Sequence, residues 1–122
     1  MEIYRLKDFA KWAKKEGLKN SELKLAIDEI SSGLKGDRLG SHLFKKRIGI
    51  EGKGKRGGVR AIIFYKENDF SVFLYGFGKN EKDNLSNKEL EALKILAKEL
   101  SKLDITQREI RVSQRSLFGL ED

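Results

Sequence analysis

Val59-Arg60-Ala61-Ile62-Ile63-Phe64-Tyr65-Lys66, Glu67-Asn68-Asp69, Phe70-Ser71-Val72-Phe73-Leu74-Tyr75-Gly76-Phe77 is the stretch that decides the fold. Both arms are rich in Ile, Val, Phe and Tyr, side chains that suit a pleated and buried surface, and the three polar residues between them supply turn chemistry. The pattern predicts a hairpin of two central strands. Upstream, His42 to Ile50 alternates as a half-exposed strand, with Phe44, Ile48 and Ile50 on one face and Leu43, Lys45 and Arg47 on the other. Between them, Gly52 to Gly58 is glycine-rich and cationic, which predicts a mobile connection. Downstream, Ser86 and Glu89 have capping-box spacing and open a helix that lines up Leu90, Leu93, Ala97 and Leu100, with Leu96 and Leu103 widening the stripe.

Toward the N-terminus, Glu2 to Leu6 reads as a short strand. Lys7 to Glu16 reads as a helix placing Phe9, Trp12 and Ala13 on one side, stopped by Gly17. A second helix starts with Asn20 as N-cap, carries Leu23, Ile27 and Ile30 on one stripe and ends at Ser31-Ser32-Gly33. Gly33 to Ser41, with three glycines, reads as a loop. The resulting order, β-α-α-β-β-β-α, predicts a compact α+β fold: an antiparallel sheet with its two N-terminal helices and C-terminal helix on one side. Residues 1–103 form one domain on this pattern. Residues 104–122 are a C-terminal extension whose Ile105, Ile110, Val112, Leu117, Phe118 and Leu120 are equally suited to packing and to docking on a partner.

Composition narrows the chemistry. A chain of 122 residues with 39% hydrophobic content supports a single core. The absence of cysteine removes disulfides and thiolate metal sites, and Met1 to Lys15 lacks the apolar run of a signal peptide or membrane span. A cytoplasmic protein without membrane contact is expected. The net charge is +7, and the excess is concentrated. Between residues 42 and 80, nine cations (Lys45, Lys46, Arg47, Lys53, Lys55, Arg56, Arg60, Lys66 and Lys79) face only Glu51, Glu67 and Asp69, an excess of six. A concentrated positive field of this kind points to a polyanionic partner.

Gly52-Lys53-Gly54-Lys55-Arg56-Gly57 matches the spacing of a dinucleotide fingerprint, but a strand follows at Val59 where that fingerprint requires a helix N-terminus. Lys53, Lys55 and Arg56 read either as a basic loop following a phosphate backbone or as a solvated hairpin connection. His42 is the only histidine, so neither a zinc site nor a serine-histidine triad is supported, and no pair of acids converges for hydrolysis. No metal and no cofactor is expected. Cations remain as the chemical resource. Lys45 and Arg47 share one strand face, and Arg60 and Lys79 lie at the same end of the predicted hairpin, so four cations can converge. Such a group can cut RNA without metal, one lysine drawing the proton from a ribose 2′-hydroxyl and arginine stabilising charge on the phosphorane. Periodicity alone supports polyanion binding more strongly than catalysis, because a wet sheet face carries the same residues.

Phe44-Lys45-Lys46-Arg47-Ile48, Gly57-Gly58-Val59-Arg60-Ala61-Ile62-Ile63, Tyr75-Gly76-Phe77-Gly78-Lys79-Asn80-Glu81-Lys82-Asp83-Asn84 and Glu89-Leu90-Glu91-Ala92-Leu93, in that order, resemble the RelE-like toxins of the HigB type from bacterial toxin-antitoxin modules. The resemblance covers about residues 40 to 103. It implies a small RNase-like fold, cleavage of messenger RNA on the translating ribosome, and silencing by an antitoxin, expected as a helix-turn-helix protein. By position it implies that Lys45 and Arg47 face phosphate and that Arg60 is the transition-state arginine. Lys79, Glu81 and Asn84 match the HigB-like branch. Asn80 and Ser86 stand where the better-studied RelE branch has an active-site arginine and a tyrosine. Two other functions compete with the endoribonuclease: a toxin of the ParE kind that inhibits DNA gyrase without cutting RNA, and a basic RNA-binding accessory protein. The aromatics Phe64, Phe73, Tyr75 and Phe77 read as core and not as base-stacking platforms, which counts against the last.

Overall fold

The computed structural model describes residues 1–50, 54–78 and 84–120. In chain order the elements are β1 (Glu2–Arg5), α1 (Lys7–Lys15), α2 (Asn20–Ser31), β2 (Asp37–Gly40), β3 (Leu43–Ile50), β4 (Gly54–Lys66), β5 (Phe70–Gly78), α3 (Asn87–Leu100), α4 (Ile105–Ser113) and β6 (Phe118–Gly119). The strands form one sheet in the order β2-β3-β4-β5-β1-β6. All neighbours are antiparallel except β1 and β5, which run parallel. The α+β class is as expected, and β4 and β5 are the central hairpin, turning at Glu67-Asn68-Asp69 with Asn68 at φ +61°.

The helices do not share one side. On one face, Phe9 and Ala13 of α1 and Leu23, Ile27 and Ile30 of α2 pack with Val59, Ala61, Ile63 and Phe73. On the other, Ala97 and Leu100 of α3 pack with Leu43, Ile62, Phe64, Val72 and Phe77. The physical reason lies in β4 and β5 themselves. Ala61 to Tyr65 and Phe70 to Leu74 are buried without a break, and a strand that is apolar on both faces needs cover on both.

Two connections turn out to be strand. Within Gly33 to Ser41, β2 pairs with β3 through Asp37↔Lys45, Arg38↔Phe44 and Gly40↔Leu43. It is a short, mostly exposed edge whose polar sequence and flanking glycines hid it. Within Gly52 to Gly58, the backbone is already β4 from Gly54, paired to Ile50, while residues 51–53 lie outside the described residues. A ladder needs only main-chain groups, so glycine content did not prevent it. Gly58 in fact serves the pairing, since a Cβ there would overlap the carbonyl oxygen of Ile48 across the strand.

At the helix ends, Ser86 and Glu89 exchange the expected reciprocal bonds, Glu89 N donating to Ser86 Oγ (3.1 Å) and Ser86 N to Glu89 Oε1 (2.9 Å). Asn20 is not the N-cap of α2. Lys19 holds that position, with its N–H donating to Glu22 Oε1 at 2.8 Å, and Asn20 Nδ2 instead donates to the carbonyl of Leu120 at 2.8 Å.

That bond belongs to the packing of the tail. Asp104 and Gln107 cap α4 reciprocally, β6 pairs with β1, and Leu117 and Leu120 are buried, one in each half of the core. Arg108 of α4 is buried across the ring of Phe70, 4.2 Å from its centroid, and its donors reach Glu2 Oε1 (3.3 Å), Asp69 Oδ1 (3.5 Å) and the carbonyl of Leu103 (2.9 Å). Burial alone would lower the Arg108 pKa, but its bonds to Tyr4 and Glu2 outweigh that and leave it raised, so the guanidinium stays charged inside.

Candidate nucleic-acid interface

Alternation along β3 separates three consecutive cations. Lys46 points to the α2 side, is 6% exposed and pairs with Glu29 Oε1 at 3.0 Å, so it is a structural ion pair. Lys45 and Arg47 point to the α3 side with Leu43. Arg47 stands directly opposite Arg60 in β4, and Arg60 directly opposite Phe77 in β5. Lys45, Arg47 and Arg60 therefore lie on one face of the sheet, as the strand periods require.

Each of these cations is held differently. Lys45 Nζ lies 3.1 Å from Asp37 Oδ2 and 3.1 Å from Asn84 Oδ1, and the same Asn84 oxygen accepts from Leu85 N at 2.9 Å. The edge strand and the segment leading into α3 thus fix the ammonium from two sides. An ammonium has three donors, so one is left over. Asp37 is a residue that sequence reasoning missed, because it fell in a presumed loop. No pattern in the sequence marked it, because β2 is short, polar and mostly exposed. Arg47 is exposed. Arg60 is half-buried, and its Nη1 is buried with no hydrogen-bond partner among the described residues. Two like charges opposite one another repel, and an unsatisfied buried donor costs about 1–3 kcal/mol. An anion lying across Arg47 and Arg60 relieves both.

Of the remaining residues expected here, Lys53, Lys79 and Glu81 lie outside the described residues, as do the side chains of Lys55 and Arg56. Phe64, Phe73 and Phe77 are fully buried, consistent with core and not stacking roles, while Tyr75 is half-buried with its ring 6.0 Å from that of Phe77. His42, at φ +65°, sits in the tight turn before β3 with its ring edge toward Phe64. Among the described residues no group of three or more His, Cys, Asp or Glu could hold a metal, and no helix is long and apolar enough to cross a membrane.

No curated protein shows significant similarity to this sequence. A family model described as the RelE toxin of the RelE/RelB toxin-antitoxin system matches residues 1–118, nearly the whole chain, including most of the tail that the motif resemblance left out. A basic sheet face shared by Lys45, Arg47 and Arg60 and a family match running from β1 to the start of β6 lead to one conclusion: the chain belongs to the RelE toxin family.

Proposed function

We propose that this toxin is a metal-independent endoribonuclease of the HigB-like branch that cuts messenger RNA on the ribosome, in the cytoplasm, and is held in check by a helix-turn-helix antitoxin. Lys45 and Arg47 bind phosphate, Arg60 stabilises the charge that develops on the phosphorane, and Lys79 or Glu81 assists proton transfer or positioning. Lys53, Lys55, Arg56 and Asn84 extend the RNA contact. The observation that carries this reading is the Arg47–Arg60 pair, the Arg60 Nη1 without a partner among the described residues, beside a tethered Lys45. Asn84 orients Lys45 by accepting from its ammonium.

In the reaction the 2′-hydroxyl loses its proton and attacks the adjacent phosphorus, the bond to the 5′-oxygen breaks, and that oxygen is protonated. Arginine meets a planar set of phosphate oxygens with two parallel donors, which suits Arg60 to the transition state. The products are then a 2′,3′-cyclic or 3′-phosphate and a 5′-hydroxyl. Mapping product ends on translated messages, with a matched substrate carrying 2′-deoxy at the cut site, tests this. Efficient cutting of the deoxy substrate refutes the mechanism, and inhibition of gyrase with no message cut would replace the endoribonuclease by the ParE-like reading.

The phosphate role of the strand pair has its own readout. Lys45→Ala with Arg47→Ala is expected to weaken RNA binding and flatten its salt dependence by about 0.7 log unit per lost contact on single-stranded RNA. An unchanged slope would return both residues to a solvated face.

A further inference from the structure

A second basic region lies away from the cations of β3 and β4. α1, the start of α2 and the C-terminal segment enclose an open groove of about 780 Å³. Its floor is apolar, made by Ala10, Ala13, Leu18, Leu23 and Phe118. Its rim holds Arg5, Lys7, Lys11, Lys14, Lys19 and Arg115, and no acidic residue is among those lining it. Asp8 of α1, Glu16 at the end of that helix and Glu22 of α2 are not among the lining residues. The tail makes this groove possible, because Arg5 Nη2 donates to the carbonyl of Gly119 and Asn20 Nδ2 to that of Leu120, both at 2.8 Å. Arg5 Nε, on the same wall, is buried with no hydrogen-bond partner among the described residues.

We propose that this groove receives an acidic amphipathic segment of the antitoxin, apolar side chains on the floor and carboxylates on the rim. The inference rests on the family membership, which supplies a partner protein, and adds the surface and the chemistry of the contact. The floor decides against nucleic acid. A phosphodiester chain gains from the six cations but nothing from Ala, Leu and Phe, whereas an amphipathic protein segment is matched by both. The charge asymmetry points the same way: Arg5, Lys7, Lys11, Lys14 and Arg115 line the groove and no acidic residue does, so carboxylates are the matching chemistry. α1 and α2 cover the sheet face opposite Lys45, Arg47 and Arg60. A segment docked here tethers the antitoxin without touching those three residues.

The test uses the full-length toxin and its cognate antitoxin. Lys11 and Lys14 are exposed on α1, so Lys11→Glu with Lys14→Glu reverses the rim without opening the core. The expected result is an affinity for antitoxin about 30-fold weaker by calorimetry, with the loss shrinking at high salt, as for charges at the rim of an interface. Hydrogen exchange should show residues 7–15 of the wild-type toxin protected when antitoxin binds. A second pair, Lys7→Glu with Arg115→Glu, guards against a folding defect in the first, and circular dichroism checks both. If wild-type toxin binds the antitoxin, both variants bind within about threefold of it and exchange in α1 is unchanged, the inference is overturned while the toxin reading stands. Loss of ribosome or RNA binding with antitoxin affinity kept would overturn it in favour of a nucleic-acid surface. No complex with wild-type toxin would sink the pairing itself, and the groove assignment with it.

Discussion

Arg60→Ala is expected to abolish growth inhibition and to slow message cleavage by about a hundredfold to a thousandfold, the usual effect of removing one donor aimed at a developing oxyanion. The fold should survive. Arg60 sits across from Arg47 in the sheet, so its removal relieves a like-charge contact and eliminates a buried donor that is unsatisfied among the described residues, instead of opening the apolar core. Arg60→Lys separates charge from geometry. It keeps the cation but loses the planar fork that meets two phosphate oxygens at once, and should recover only part of the rate. Induced expression with a growth readout, thermal unfolding by circular dichroism and a translated-message assay check all three statements. Full toxicity in a folded Arg60→Ala protein would reject the role.

The parts of this fold legible in the sequence are those where side chains dictate the element. The β4–β5 hairpin was visible because ten residues of Ala61–Tyr65 and Phe70–Leu74 are buried, and α3 because Ser86 and Glu89 close a reciprocal cap. The strand period also put Lys45 and Arg47 on one face, since alternation within a strand needs no tertiary information, whereas the β3–β4 register is what adds Arg60 to that face. What escaped was structure made by main chain alone. β2 and the first residues of β4 pair through backbone groups, and two of the glycines that argue for loops in isolation, Gly36 beside β2 and Gly58 in β4, are needed for close approach. Asp37 escaped with β2, because its value lies in standing opposite Lys45.

The tail is a different case. Asp104 and Gln107 have the spacing of a cap, a signal as local as that of Ser86 and Glu89. The destination of α4 was not local. It depends on Arg108 meeting Glu2 and Asp69, residues 106 and 39 positions away in the chain, and on β6 adding to an edge that only the parallel β1–β5 pairing creates. The two-sided covering of the sheet was legible but misjudged. Unbroken apolar runs in β4 and β5 already called for a layer on each face, and α3 was the element available for the second.

Gly76→Ala is expected to cost about 2–3 kcal/mol, the upper range for forcing a methyl into a packed site. At this chain length that corresponds to a fall of roughly 10 °C in melting temperature. Gly76 stands in the motif that carries the family resemblance, beside residues expected to do chemistry, but the structure gives it a packing role. It faces Ala61 in β4, and a Cβ there would overlap Cζ3, Cη2 and Cε3 of the Trp12 indole. The ring cannot easily yield. Trp12 lies against Phe9 with centroids 5.5 Å apart, and Phe9 stacks on Phe73 at 5.1 Å, so moving the indole disturbs the contact that seats α1 on β5. Glycine in a strand ordinarily carries a conformational penalty of about 0.5–1 kcal/mol relative to alanine, so a neutral site would be stabilised by this change. The sign of the effect therefore discriminates. Thermal unfolding of Gly76→Ala, Trp12→Leu and the double variant measures the coupling, and the alanine should cost much less once the indole is gone. A Gly76→Ala protein as stable as the wild type would show that the strand does not need glycine for the ring, and the role of Gly76 would have to be sought at the cation face.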